Sequence, residues 1–220
     1  MENLVRKNLL QIQEEIAPLK PNIVAVTKYF DGSAIVSAYR AGLRDFAEAR
    51  ANEAIEKIEA LPTEVKENST FHFIGHLQTN KVAKVIKHFD FIHSVDSLHL
   101  AQKISEEAGK IGKIQKIFLE VNFANEEQKF GFSKTDLDNE FAELVKLPNL
   151  SIQGLMSMSP LGAEEMFLEK LFTEVKSTQQ ELSKKFGVDL PELSMGMSQD
   201  YKIAARCGAT FLRIGRKLFT

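Results

Sequence analysis

The sequence predicts a (β/α)8 barrel, in which eight parallel strands close into a ring surrounded by helices. Eight short apolar runs alternate with longer amphipathic runs along the 220 residues, the pattern of strands joined by crossover helices. Polar residues also stand at the carboxyl ends of the predicted strands, and a barrel would gather those ends around one mouth. They are Lys28, Glu48, His76, Asn122, Ser157, Ser194 and Arg213. An open doubly wound sheet is the alternative, but no glycine-rich GxGxxG turn follows the first strand.

The predicted strands are short apolar runs, and the helices predicted between them have apolar residues at helical spacing. The strands are Ile23–Lys28, Asp45–Glu48, Phe71–Gly75, Phe91–Val95, Ile117–Asn122, Ile152–Ser157, Glu192–Met195 and Phe211–Gly215. The helices are Ser33–Ala41, Asn52–Ala60, Asn80–His88, Ser97–Gly109, Thr135–Lys146, Glu164–Phe186 and Gln199–Arg206, with a further helix before the first strand. Because no linker or repeat interrupts this alternation, residues 1–220 are expected to form a single domain.

Several helix ends are marked by residues with known capping preferences. Ser97 and Asn80 precede predicted helices, where a side-chain oxygen can accept a hydrogen bond from the first turn. Gly42, Gly109 and Gly208 stand where helices are expected to stop. These residues predict the boundaries of four helices.

Composition excludes several classes of function. Apolar residues make up 44% of the chain and charged residues 26%, as in an ordinary globular protein, and the net charge of -2 gives no basic face for nucleic acid. The single cysteine, Cys207, cannot form an internal disulfide. With no apolar leader and no run long enough to cross a bilayer, a cytoplasmic protein without a membrane partner is expected. The five histidines lack metal-ligand spacing.

Lys28 ends the apolar run Asn22–Lys28, whose composition is that of a strand buried on both faces. An ammonium group there is costly to desolvate unless it is paired or takes part in chemistry. Partial desolvation favours the neutral amine, which can attack a carbonyl and form a Schiff base. The alternative is a lysine that only marks where the strand emerges into solvent.

The last strands carry small polar residues that suggest a phosphate site. Ser157 ends the sixth strand, Ser194 lies in the seventh, and Ser198 precedes the helix that follows it. Gly215 ends the eighth strand beside Arg213 and allows a ligand to approach the backbone closely. Turns after the last two strands of a barrel commonly bind phosphate, so these residues together predict a phosphate site.

Two further residues are candidates to contact a planar ligand. His76 follows Gly75 at the mouth end of the third strand, although a histidine held by backbone carbonyls is the alternative. Asn122 ends the fifth strand, and the segment Lys129–Phe132 could close over the mouth or serve only as a surface loop. A lysine across the mouth from a phosphate site suits a phosphorylated aldehyde. Pyridoxal 5′-phosphate (PLP) and phosphosugars both meet that description.

The chain resembles the pyridoxal phosphate homeostasis protein family over almost its whole length. The motifs that carry the resemblance are Val26-Thr-Lys-Tyr29, Phe71-His-Phe-Ile-Gly-His-Leu-Gln-Thr-Asn-Lys81, Lys129-Phe-Gly-Phe132, Gly154-Leu-Met156, Leu193-Ser-Met-Gly-Met-Ser-Gln-Asp200 and Leu212-Arg-Ile-Gly215. The resemblance implies a barrel like the N-terminal domain of alanine racemase (PLP fold type III). One departure is Phe46-Ala-Glu-Ala49, where the family usually has Phe-Gly-Glu-Asn, so one polar contact is missing at Ala49.

The resemblance also implies roles for individual residues. Lys28 is expected to carry PLP as a Schiff base, and Arg213 to lie against the cofactor at its ring nitrogen or its phosphate. Ser194 and the Gly215 backbone, with Ser157, are expected to hold the phosphate. Asn122 and His76 are expected beside the ring.

The resemblance favours a PLP carrier over an enzyme. Alanine racemase uses a second domain that contributes a tyrosine, and only five residues follow the eighth predicted strand here. The first hypothesis is therefore a monomer that holds PLP for homeostasis and delivers it to PLP-dependent apo-enzymes without robust catalysis. A PLP-dependent amino-acid racemase or lyase is the second hypothesis, and a phosphosugar aldolase without cofactor is the third.

Overall fold

Eight parallel strands form a closed barrel in the computed structural model, which describes residues 1–123 and 130–220. In chain order the strands are β1 (Asn22–Val26), β2 (Asp45–Glu48), β3 (Thr70–Phe73), β4 (Phe91–Val95), β5 (Gln115–Val121), β6 (Leu150–Ser157), β7 (Glu192–Met197) and β8 (Phe211–Ile214). Each strand pairs with its neighbours in sequence, and β8 pairs with β1 to close the ring. The predicted fold class is therefore confirmed.

Helices cover the outside of the barrel and join its strands. They are α1 (Glu2–Ile16), α2 (Gly32–Arg40), α3 (Ala51–Glu59), α4 (Thr63–Glu67), α5 (Val82–His88), α6 (Leu98–Lys110), α7 (Lys134–Leu144), α8 (Glu165–Phe186), α9 (Tyr201–Arg206) and α10 (Arg216–Phe219), with a 3-10 turn at Thr79–Lys81. None of the helices in the two described segments is long and apolar enough to cross a membrane.

The strands bury both faces, as all-parallel sheets do. Residues on the inner face form a small cluster inside the ring that includes Val24, Phe91, Phe118 and Phe211. Residues on the outer face join the apolar sides of the helices in a much larger cluster that runs around the barrel. The inner cluster is interrupted by polar side chains, and these belong to the site described below.

Most predicted elements are present, and the differences have local causes. Helices α4 and α10 were not predicted, because five and four residues are too few to show a helical periodicity. Asn80 lies inside the 3-10 turn and caps no helix. Gly109 lies within α6, and Gly112, with a φ of +65°, provides the left-handed residue after that helix.

Helix α1 packs along the barrel through residues at helical spacing. Val5, Leu9, Ile12 and Ile16 are buried, and they recur every three or four positions. Near its end Glu15 accepts a hydrogen bond from the Tyr201 hydroxyl on α9 and pairs with Lys202 at 2.9 Å. These contacts hold the pKa of Glu15 at about 2, and burial together with the hydrogen bond to Glu15 raises the pKa of Tyr201. Helix α1 is thereby tied to the last part of the barrel.

Candidate functional site

Lys28 lies in the turn after β1, two residues beyond the end of that strand. Val24 on β1 belongs to the inner cluster and Val26 packs against it, and Lys28 follows two residues later at the mouth. Its side chain is half-buried, and its Nζ lies 5.2 Å from the centroid of the Tyr29 ring. The predicted strand end was therefore two residues too long, because the chain turns at Thr27–Phe30.

Glu48, which was expected at the mouth, faces the helices instead. Its carboxylate accepts hydrogen bonds from Thr27 Oγ1 and from Lys57 Nζ on α3, both at 2.6 Å. Lys57 also donates to the Thr27 carbonyl at 3.0 Å. The expectation was wrong because Ala47, the residue before Glu48, takes the inward position on β2. The Glu48–Lys57 pair on the outside of the barrel is bonded to Thr27 and so holds the turn that carries Lys28.

Arg213 on β8 is a cation inside the barrel. Its side chain is only 4% exposed, and its guanidinium donates to the Ser194 carbonyl at 2.7 Å, to Ser194 Oγ at 2.6 Å and to the Ser157 carbonyl at 2.9 Å. Burial lowers the pKa of Arg213 to about 10, while the carboxylates of Asp200 and Glu120 act in the opposite direction. The group therefore remains charged at neutral pH.

Ser194 lies inside the barrel, where its hydroxyl already has partners. Besides accepting from Arg213, Ser194 Oγ lies 2.8 Å from His93 Nδ1 on β4, and the serine is fully buried. His93 Nε2 lies 2.9 Å from His72 Nδ1, and His72 Nε2 lies 2.9 Å from Asp45 Oδ1. A continuous chain of hydrogen bonds thus runs from Arg213 to the start of β2.

Ser198 occupies the position beside Gly215 at the mouth. Its hydroxyl accepts hydrogen bonds from the backbone N–H groups of Gly215 and Lys217, each at 3.3 Å. A Cβ on Gly215 would lie 3.3 Å from the Val26 carbonyl of β1, so the turn after β8 is closely packed against the turn that carries Lys28. We call the Ser198 hydroxyl with the Gly215 and Lys217 N–H groups the N–H cup.

Ser157 contributes to Arg213 through its backbone. Its carbonyl accepts from Arg213, whereas its buried hydroxyl has no hydrogen-bond partner within the described residues. Nearby, Asp200 accepts hydrogen bonds from Ser159 Oγ and, at 2.5 Å, from the Met197 N–H. Asp200 therefore joins the loops that follow β6 and β7 next to the N–H cup.

His76 lies apart from the Arg213 group, on the rim of the barrel. Its ring stacks on Phe130, with centroids 3.8 Å apart and planes at 15°, and its Nδ1 is 3.3 Å from Asp96. It lines a separate pocket of about 290 Å³ that neither Lys28 nor Arg213 lines. Gly75 is required for packing, since a Cβ there would lie 2.0 Å from the Ala49 carbonyl.

Asn122 follows β5 and is half-buried. Its N–H donates to the Phe132 carbonyl at 3.0 Å, which brings the Gly131–Phe132 segment back to the end of β5. Phe130, for which closure over the mouth and a surface loop were both open, is exposed and lies against His76. Lys129 lies outside the described residues.

The sequence analysis did not identify His72, His93, Asp45 and Glu120 as parts of the site. A signal was available, because Phe71-His-Phe73 and Phe91-Ile-His93 place a histidine among apolar residues on successive strands. Strand alternation alone could have predicted that each histidine faces inward. Their contact with Ser194 requires knowledge of strand register across the barrel, and the sequence does not provide it.

The fold and the site together define a small-molecule-binding barrel. Lys28, the Arg213 guanidinium and the N–H cup lie on or just after the neighbouring strands β1, β8 and β7, at the carboxyl ends where barrels place their sites. This set of groups suits a ligand with a carbonyl and an anionic group.

Comparison with known proteins assigns the family. Residues 3–220 match the family model of the alanine racemase N-terminal domain. The pyridoxal phosphate homeostasis protein of Synechocystis sp. is 41% identical over 208 residues, which cover 94% of each chain. That of Aquifex aeolicus is 36% identical over 197 residues, covering 90% of this chain and 85% of that protein. The chain therefore belongs to the pyridoxal phosphate homeostasis protein family.

Solved structures agree with this assignment. PipY of Synechococcus elongatus without PLP has a TM-score of 0.93 and 37% identity, covering 98% of this chain and all of PipY. PipY with PLP bound has a TM-score of 0.90 and 36% identity over the same share. Alanine racemase of Clostridium difficile, with a TM-score of 0.83 and 18% identity, covers 99% of this chain and 56% of the racemase, and shows the fold alone.

Proposed function

We propose that this protein binds PLP at the barrel mouth, holds it as a Schiff base on Lys28 and serves PLP homeostasis by releasing it to PLP-dependent apo-enzymes. The observation that carries the proposal is that Lys28 and the N–H cup follow neighbouring strands at the same end of the barrel, where Gly215 packs against the end of β1. It is supported by PipY, which is 36% identical over 98% of this chain and has a structure with PLP bound. A chain of this size has room for one such site within its barrel.

The residues present fit a phosphorylated aldehyde. Lys28 provides the amine, and the Ser198 hydroxyl provides a donor for a phosphate, beside the Gly215 and Lys217 N–H groups that would turn from Ser198 Oγ to a bound phosphate. Arg213 has five N–H donors, of which three are directed to Ser194 and Ser157, so the guanidinium can also face an acceptor on the ligand. PLP, when bound, supplies an electrophilic aldehyde and an electron-accepting ring.

The phosphate contacts in this proposal differ from those expected from sequence. Ser198 replaces Ser194 as the serine that binds the phosphate, because the Ser194 hydroxyl is hydrogen-bonded to Arg213 and His93. The Gly215 backbone keeps its expected role, and Asn122 stays a candidate for the ring. His76 has no part in it, since it lies in the pocket on the rim, whereas the buried Ser157 hydroxyl stays a candidate for the phosphate.

A carrier role is supported by the tyrosines, which are the usual partners of PLP in proton transfer in this fold. Tyr201 is hydrogen-bonded to Glu15 on α1, and Tyr39 packs under the Arg44 guanidinium at 4.0 Å. Tyr29 follows Lys28 and is 72% exposed, so water surrounds its hydroxyl. None of these three residues provides a sheltered acid or base beside Lys28. With a single cysteine and no disulfide, we place this carrier in the cytoplasm.

Equilibrium titration with PLP tests the proposal. The wild-type protein should bind PLP with about one equivalent and develop the near-visible absorbance of a protonated imine. Lys28→Ala should lose that absorbance, whereas Lys81→Ala, a lysine in the pocket on the rim, should keep it. Wild-type protein that shows neither binding nor absorbance would refute the proposal. Turnover of L-amino acids at ordinary enzymatic rates, about 1 per second or more, would refute the carrier role.

A further inference from the structure

With both histidines neutral, the hydrogen-bonded chain through the barrel has only one consistent arrangement of protons. We call the residues Asp45, His72, His93 and Ser194 the interior chain. A carboxylate can only accept and a neutral imidazole carries one N–H, so Asp45 fixes the direction of every bond as far as Ser194. Asp45 accepts from His72 and His72 accepts from His93, which leaves His93 Nδ1 to accept from the Ser194 hydroxyl, while Arg213 donates to the same hydroxyl oxygen.

The same rule fixes both histidine tautomers. Since His93 Nδ1 accepts, neutral His93 carries its proton on Nε2 and donates it to His72 Nδ1. His72 in turn carries its proton on Nε2 and donates to Asp45. Burial of His93, together with the nearby His72 and Arg213, lowers its pKa well below the usual value, which agrees with a neutral ring. Both histidines are neutral Nε2–H tautomers in this arrangement.

The interior chain controls where the Arg213 guanidinium points. Ser194 offers Arg213 both its carbonyl and its hydroxyl oxygen, and with the hydroxyl proton directed to His93 the lone pairs of that oxygen are available to Arg213. His93 cannot turn away, because Phe118, Phe91 and Phe211 pack around its ring. A hydrogen bond confined in this way has a defined direction and a low cost of reorganisation.

We propose that His93 is a positioning residue for the ligand site: through Ser194 it holds the Arg213 guanidinium in the orientation that receives PLP. The inference rests on the proposed function, and it assigns a role in PLP binding to a residue that does not touch the ligand. The alternative is that the histidines only satisfy one another in the core and leave the ligand site unaffected.

The first test concerns the unliganded protein. Two-dimensional NMR of ¹⁵N-labelled histidine reports which ring nitrogen carries the proton. At about pH 7 we expect Nε2–H tautomers for both His72 and His93, and a shift of the His93 Nδ1 resonance in Arg213→Gln. An Nδ1–H tautomer at His93, or no response to Arg213→Gln, would overturn the inference without any ligand being present.

The second test is a double-mutant cycle on PLP affinity. His93→Phe removes both hydrogen bonds, while its ring suits the surrounding phenylalanines. Alone, it should weaken PLP binding about tenfold, the size of one hydrogen bond to a charged group. In an Arg213→Gln background it should have no effect, because nothing is left to position. His93→Asn, whose amide oxygen can accept from Ser194, should restore affinity to within about threefold of wild type.

Phe118→Leu is the matched packing control. Phe118 contacts His93, with ring centroids 4.3 Å apart, but forms no part of the hydrogen-bonded chain. It should lower stability and leave PLP affinity unchanged. Equal losses from His93→Phe in the wild-type and Arg213→Gln backgrounds would contradict the inference while leaving the proposed function intact. Absence of PLP binding by the wild type would instead refute the proposed function, and the NMR test would then decide on the interior chain alone.

Discussion

The two ends of the barrel interior are built from the same eight strands but carry different chemistry. Near the starts of β4 and β8, Phe91 and Phe211 pack against Phe118 and His72, and the interior there is filled by rings. At the mouth, Lys28 and the N–H cup present polar groups. The ring-filled end near the strand starts therefore contributes to stability, and the mouth contributes to binding. The interior chain connects these two ends.

The largest expected effect comes from breaking the ring-filled end. Phe118→Ala removes a fully buried ring from the barrel interior, so it should lower the free energy of unfolding by about 3–5 kcal/mol. Urea denaturation measures this change. Phe130→Ala, which removes an exposed ring at the rim, should change stability by less than about 0.5 kcal/mol. Similar losses from both variants would show that the two ends do not differ in their contribution to stability.

A smaller effect is expected from the cation that faces the mouth. Arg213→Gln removes a charged donor, so PLP binding should weaken by about 2 kcal/mol, or roughly thirtyfold. The circular dichroism spectrum should stay that of the wild type, because the barrel strands remain paired. Fluorescence titration with PLP measures the affinity. An unchanged affinity would remove Arg213 from the site.

Stability should depend on pH through His93. Burial favours the neutral ring, so below about pH 6.5 the unfolded chain binds a proton that the folded protein does not. The free energy of unfolding should therefore fall as pH decreases, by about 1.4 kcal/mol between pH 8 and pH 5.5 for this one group. The measurement is the difference between wild type and His93→Phe in urea midpoints across that range. Urea midpoints of the two proteins that change in parallel with pH would contradict a neutral His93 in the folded protein.

The smallest effect is expected where the interior chain meets solvent. Asp45 is 28% exposed and lines a cavity of about 510 Å³ between the end of α1 and the starts of β1 and β2. Water can replace its carboxylate as the acceptor for His72, so Asp45→Ala should cost less than about 1 kcal/mol in stability and less than threefold in PLP affinity. A loss of PLP affinity as large as that of Arg213→Gln would show that the ring-filled end also controls the ligand site.

The sequence predicted the fold more completely than it predicted the site. All eight strands and the helices other than α4 and α10 followed from apolar periodicity, and Lys28 and Gly215 were placed at the carboxyl ends of β1 and β8, which pair, although each lies just beyond its strand. Ser194 was assigned to the phosphate because it lies in a small-residue motif. Of its partners, Arg213 lies 19 residues away on the next strand, whereas His93 lies 101 residues away, and only the three-dimensional register brings His93 to Ser194.

The central claim is that Lys28 at the mouth is the residue that holds PLP. The most direct measurement is borohydride reduction of the protein with PLP, followed by proteolysis and mass spectrometry of the labelled peptide. The account predicts a single phosphopyridoxyl label on Lys28. Label on Lys57, Lys81 or Lys129 in place of Lys28 would contradict it.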